Sequence, residues 1–151
     1  MRKKWNYIVP LVLLLIWFFL DMTGLYWGNH CLVAKSYKED FLFFIIYLVA
    51  FILFLVKETV GKWIMLIWLS MWFITQFLNH EWYTIFHGGF MGTAEGKMEY
   101  FFNTIKWLHI EGRYVPDLYH TVLHLLLLIA ICSTCVYIIR TRKRIKSIDR
   151  F

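Results

Sequence analysis

Apolar residues fall along this chain in four long runs, Trp5 to Tyr26, Phe41 to Val56, Trp63 to Leu78 and Leu118 to Ile139. Each run is apolar around nearly its whole circumference and lacks the charged stripe of a helix that faces water. The runs hold sixteen to twenty-two residues. At a rise of about 1.5 Å per residue, the longer pair crosses a hydrocarbon core of about 30 Å and the shorter pair crosses with help. Lys57 and Lys62 supply that help by snorkelling. The pattern predicts an all-α integral membrane protein, a four-helix antiparallel bundle with spans at about 5–26, 41–57, 62–79 and 117–139 in one transmembrane domain, 1–151.

The polar segments between the runs predict one more element. In the loop 79–117, Met98, Phe101, Phe102, Ile105 and Leu108 recur at helical spacing, while Glu99, Asn103 and Lys106 lie elsewhere on the wheel. This predicts a short amphipathic interfacial helix, with Trp82, Tyr83, Trp107 and Tyr114 as aromatic anchors. The His87-Gly88-Gly89 segment gives the backbone freedom to turn just before it.

Composition supports lipid as the solvent. The chain is 60% hydrophobic and only 17% charged, and its apolar residues are contiguous, which excludes an ordinary soluble globule. Arg2, Lys3 and Lys4 before the first run resemble the start of a secretory leader. The run exceeds the usual 7 to 15 residues of such a leader, and ends in Asp21, Thr23 and Gly24 without a small-x-small site, so it is read as a spanning helix.

Charge then sets orientation. Four spans place the amino terminus, the Lys57–Lys62 turn and the basic tail 140–151 on one side, with eleven Lys and Arg against five on the other. The positive-inside rule puts both termini in the cytoplasm of a multi-pass plasma-membrane protein. The net charge of +6 therefore belongs to a cytoplasmic rim suited to anionic lipid headgroups. It does not imply nucleic acid, because no folded basic domain accompanies it. Beyond the bilayer, a second copy of the chain or another membrane protein is the partner class that such a bundle admits.

The candidate chemistry lies on the opposite, acidic side, where all six histidines fall. Pro116 fixes the start of the last helix, and Asp117, His120 and His124 follow on one stripe. His124 lies about 9 Å inside that helix, where an ionisable ring must face the bundle. Gln76, Asn79, His80 and Glu81 occupy the matching depth on the third run, Asp21 and Thr23 on the first, and His87 and His109 are placed to close over from the loop. Two imidazoles one turn apart can share a transition metal such as zinc, and His120 or His124 paired with His80 could hold haem. The expected ligand set is His120, His124 and His80, with Asp117, Asp21 and Glu81 as further ligands or supports.

Two other classes compete with a metal or haem pocket. One is a membrane-embedded enzyme in which His80, Glu81, His120 and His124 do acid–base work on a lipid-like substrate, as sterol-isomerase-like proteins and membrane ceramidases do by analogy. The other is a non-catalytic accessory, sensor or immunity protein whose polar groups only bind the helices together. Cys132-Ser133-Thr134-Cys135 resembles, over four residues, the redox pair of quinone-linked disulfide-forming enzymes and vitamin K epoxide reductases. In those families the pair lies at the extracytoplasmic end of a helix. Here it lies near Arg140, far from Cys31, and reads as small interface residues.

Overall fold

The computed structural model describes the backbone of residues 2–148 and the side chains of residues 4–142. Arg2, Lys3 and the greater part of the 140–151 tail, which carry much of the charge asymmetry, have side chains outside the described residues. Four long helices dominate: α1 (Arg2–Thr23), α2 (Tyr37–Val56), α3 (Glu58–Asn79) and α6 (Leu118–Ile148). All four are long and apolar enough to cross a membrane. Two short helices, α4 (Glu81–Phe86) and α5 (Ala94–Tyr100), and a two-stranded ribbon, β1 (Leu25–Trp27) with β2 (His30–Val33), fill the connections.

The core follows from helical spacing on each long element. Leu11, Leu14 and Phe18 of α1, Tyr47, Ala50 and Phe54 of α2, Met65, Leu69 and Trp72 of α3, and Tyr119, Leu123 and Leu127 of α6 form one buried cluster. Their i, i+3, i+4 and i+7 steps place them on the inner stripe. The opposite stripe is apolar as well, with Leu13, Ile16, Val49, Ile67, Ile74 and Ile129 all exposed. Helices apolar both inside and outside leave large bare patches that water-soluble monomers rarely carry.

The turn between α2 and α3 is a single residue, Lys57. Its amide bonds the Leu53 carbonyl at 2.8 Å, and its carbonyl accepts the Gly61 amide at 2.7 Å. A Cβ at Gly61 would collide with the Leu53 carbonyl, so glycine is what lets α3 fold back against α2. Lys62, expected to snorkel outward, is buried, and its ammonium donates to Thr141 Oγ1 at 3.3 Å. This basic end also gathers Lys4 with Glu58 at 3.2 Å and Arg140 with the Tyr7 hydroxyl at 2.8 Å.

The other end, the histidine end, is where α1 and α3 finish and where α2 and α6 begin. There the first run stops earlier than its hydrophobicity predicts. Tyr26, expected in the helix, lies in β1 and pairs with Cys31. Gly28 holds φ at 59° at the first position of a two-residue loop, which suits the type II′ turn of a tight hairpin.

The amphipathic segment is also shifted. Helix α5 begins at Ala94, capped by Thr93 Oγ1 accepting the Gly96 amide at 3.1 Å, and ends at Tyr100. The predicted 98–108 helix therefore survives only in its first residues. Thr104 instead bridges Cys31, the Ile105 amide bonds the Cys31 carbonyl at 3.0 Å, and the Ile105 carbonyl accepts the Leu118 amide at 2.8 Å. Pairing with distant backbone outweighs a local helical pattern here, because it ties the loop to both β2 and α6.

Candidate functional site

Each residue of the site is set by a helix terminus. His80 closes α3, with its amide on the Gln76 carbonyl at 3.0 Å, and Glu81 opens α4. Asp117 precedes α6 and caps it, accepting the His120 amide on Oδ1 at 2.9 Å. The same oxygen takes the His120 ring Nδ1 at 2.7 Å. His124, one turn further on, bonds Glu81 Oε1 through its own Nδ1.

His80 completes a cluster of three rings. Its centroid stacks 4.0 Å from that of His120 and lies 5.6 Å from that of His124. Its Nδ1 meets the Tyr114 hydroxyl at 2.6 Å. The structure thus brings together His80, His120, His124, Glu81 and Asp117, from α3, α4 and the start of α6. His87 and His109 do not join them; both are exposed.

Asp21 is buried at the end of α1, within hydrogen-bonding reach of the Asp40 carboxyl and not of an imidazole. It is linked to the cluster through the nearby charge of Asp117 and through Asp40, which shares the cavity wall with His120. Thr23 turns away and bonds the Leu20 carbonyl in its own helix.

The hydrogen bonds fix how the rings can work. A carboxylate offers only lone pairs, so the hydrogen between it and an imidazole sits on Nδ1. His120 and His124 are each oriented this way, which leaves the Nε2 lone pair as the basic atom. Burial alone pushes the Asp117 carboxyl up. The side-chain and backbone hydrogen bonds and the charge of His120, with the Thr104 hydroxyl, outweigh that and hold it below its ordinary range. Burial, with Asp117 and Glu81 nearby, pushes the Tyr114 hydroxyl up, so it stays protonated and can donate to His80.

A cavity of about 420 Å³ opens beside the cluster. Its walls include Glu39 and Asp40 of α2, Gln76 and His80 of α3, Lys97 of α5, and His120. Nothing in the sequence singles out Asp40 or Lys97, and it marks Tyr114 only as an aromatic anchor of the loop. Tyr114 precedes the Pro116-Asp117 pair by a few residues, which was the one available hint. Lys97 and Asp40 are ordinary charged residues until the loop folds over α2 and α3.

Among the described residues, no group of three or more His, Cys, Asp or Glu side chains is arranged to hold a metal ion. The geometry explains why. Imidazole lone pairs lie in the ring plane, and the His80 and His120 planes stack at 27° instead of converging on a point about 2.0 to 2.1 Å from both. Axial ligands of haem face each other end-on across a macrocycle, and this stacked pair leaves no such gap. The cysteines are free, with Cys31 buried at the histidine end and Cys132 exposed on α6.

No family model, curated protein or solved structure matches the chain.

Proposed function

We propose that this protein spans the plasma membrane as an antiparallel four-helix bundle with both termini in the cytoplasm. In this reading its outer end is a membrane-embedded acid–base centre acting on a lipid-like substrate. The observation that carries the reading is the His120–Asp117 pair beside the cavity, an imidazole oriented by a carboxylate at 2.7 Å on a wall that a substrate can reach. His120 Nε2 takes a proton from a water or hydroxyl nucleophile as that oxygen bonds the electrophilic centre, and returns it to the departing oxygen. Asp117 orients the ring and stabilises the imidazolium that forms. His124 with Glu81 and His80 with Tyr114 hold the cluster from below.

The test is reconstitution in nanodiscs of mixed phospholipids, with mass spectrometry of the lipids over time. Changing His120 to Asn is expected to lower turnover by roughly 10² to 10⁴, the range for losing a positioned general base. Lipids that stay unaltered by the native protein would overturn the reading.

A metal-binding reading has one observation in its favour. His120 and His124 each give an Nδ1 hydrogen to a carboxylate, which is how metal-bound imidazoles are commonly oriented. It requires the stack of His80 on His120 to open. Elemental analysis of the protein purified in mild detergent decides it, since a stoichiometric metal lost on changing His124 to Ala would favour this reading over the first.

A further inference from the structure

We propose that the cavity recognises a zwitterion carrying a primary ammonium and a phosphate a few atoms apart, the chemistry of an ethanolamine phospholipid headgroup. This rests on the acid–base reading above and names its substrate class.

The wall charges carry the argument. On the α2 side, Glu39 and Asp40 have no Lys, Arg or His ion-pair partner among the described residues. Beside them the Oε1 of Gln76, a side chain only 8% exposed, has no hydrogen-bond partner. Glu39 is exposed and Asp40 meets the Asp21 carboxyl, so this side holds acidic groups without a counter-charge and one buried acceptor, Gln76 Oε1, without a donor. Buried acceptors are costly when unpaired, and a primary ammonium brings three N–H donors and the matching charge.

On the α5 side the imbalance is reversed. Lys97 is half-buried, its ammonium stands 4.5 Å from the centroid of the Tyr83 ring, and no carboxylate pairs with it among the described residues. Thr93 lies beside it, also on the cavity wall, and its hydroxyl hydrogen stays available while its oxygen caps α5. An anionic group completes this side.

Ligands with one charge leave the other side unmet. An anion alone satisfies Lys97 and is repelled by Glu39 and Asp40, while a cation alone leaves Lys97 without a counter-charge. Choline carries the right charge but no N–H to give Gln76. The space of about 420 Å³ falls within the usual range for a small-molecule site. Met91 and Tyr100, on its wall and exposed, offer an apolar rim to the rest of an amphiphile.

The experiment titrates the full-length protein in detergent with short-chain phosphatidylethanolamine, phosphatidylcholine and phosphatidylglycerol, and with soluble phosphoethanolamine, by isothermal calorimetry. The ethanolamine lipid is expected to bind at least about tenfold more tightly than the other two lipids, equal to about 1.4 kcal/mol. Lys97→Met and Asp40→Asn are each expected to remove about that preference. Soluble phosphoethanolamine binding as tightly as the lipid upholds the recognised chemistry and moves its source from bilayer to solution. Equal binding of all three lipids, or variants that bind like the native protein, would overturn the proposal.

The two readings fail separately. Ethanolamine lipid that binds but is never altered removes the catalytic reading and leaves recognition standing. Turnover of a lipid that lacks the ammonium does the reverse.

Discussion

The two ends of the bundle solve the same problem in opposite ways. At the basic end the polar side chains find protein partners: buried Lys62 with Thr141, and nearer the surface Arg140 with Tyr7 and Lys4 with Glu58. At the histidine end, Asp117 Oδ2, Glu81 Oε2, His124 Nε2, Gln76 Oε1 and the Tyr119 hydroxyl are all buried without a protein partner. Folding alone rewards the first arrangement, because each buried group left unpaired costs about 1 to 3 kcal/mol. Gln76 lines the cavity, and the others lie on residues packed around the histidine cluster beside it, so a polar centre has been kept there at a cost to folding. The difference teaches where stability has been kept and where it has been spent.

The loss of turnover on changing His120 is the largest effect this contrast predicts. The next concerns the pair beneath it. Changing His124 to Ala removes the ring that meets Glu81 and leaves a carboxyl in a half-buried setting with nothing to bond. Thermal unfolding in detergent should show a destabilisation of about 1 to 3 kcal/mol. The double variant His124→Leu with Glu81→Leu should recover much of it, since removing both partners strands neither. A double variant no better than His124→Ala would mean that the pair is not what stabilises this end.

A smaller effect follows from Asp117, which precedes the first residue of α6. Its carboxyl is held below the ordinary value of 3.8, so the ionised form is favoured by folding. Stability from this group is fully present above pH 3.8 and is lost as the pH falls below it, through the folded-state value. The native protein should therefore lose thermal stability on acidification in that window, and Asp117→Asn should flatten that loss. The asparagine keeps an N-cap for α6, so its cost at neutral pH should stay within about 0.5 to 2 kcal/mol. An unchanged acid profile in the variant would show that another carboxyl governs the transition.

Much of this was legible in the residues. Four all-round apolar runs place four long helices, and the depth argument brings His124, His120 and Asp117 to the level of His80 and Glu81, where the structure puts them together. What the pattern could not show depends on contacts between distant segments. The Gly28-Asn29 pair marks a local turn, but only the pairing of Cys31 with the loop at Thr104 shows that Leu25 to Val33 leaves α1 for a ribbon. That same pairing ends α5 at Tyr100, against the hydrophobic period through Leu108. Asp21 was matched by depth to the histidines, but its neighbour across the bundle is Asp40, because α2 begins at Tyr37 and not at Phe41. Lys97 gained meaning only when the loop carried it to the cavity wall.

The smallest effect tests the other side of the comparison. Lys4 and Glu58 lie 3.2 Å apart at the basic end, with side chains 29% and 41% exposed. An ion pair so open to solvent loses most of its Coulomb energy to screening and to the entropy of holding two long side chains, and is worth about 0 to 1 kcal/mol. Replacing both with Lys4→Met and Glu58→Gln should shift thermal stability by no more than that, and raising the salt concentration should erase even this difference. Lipid turnover and ligand binding should not change, because the pair lies a full helix length from the cavity. If the variant instead lost binding as Lys97→Met does, the two ends would be coupled through the helices that join them. The contrast between a matched end and an unmatched one would then describe a single network.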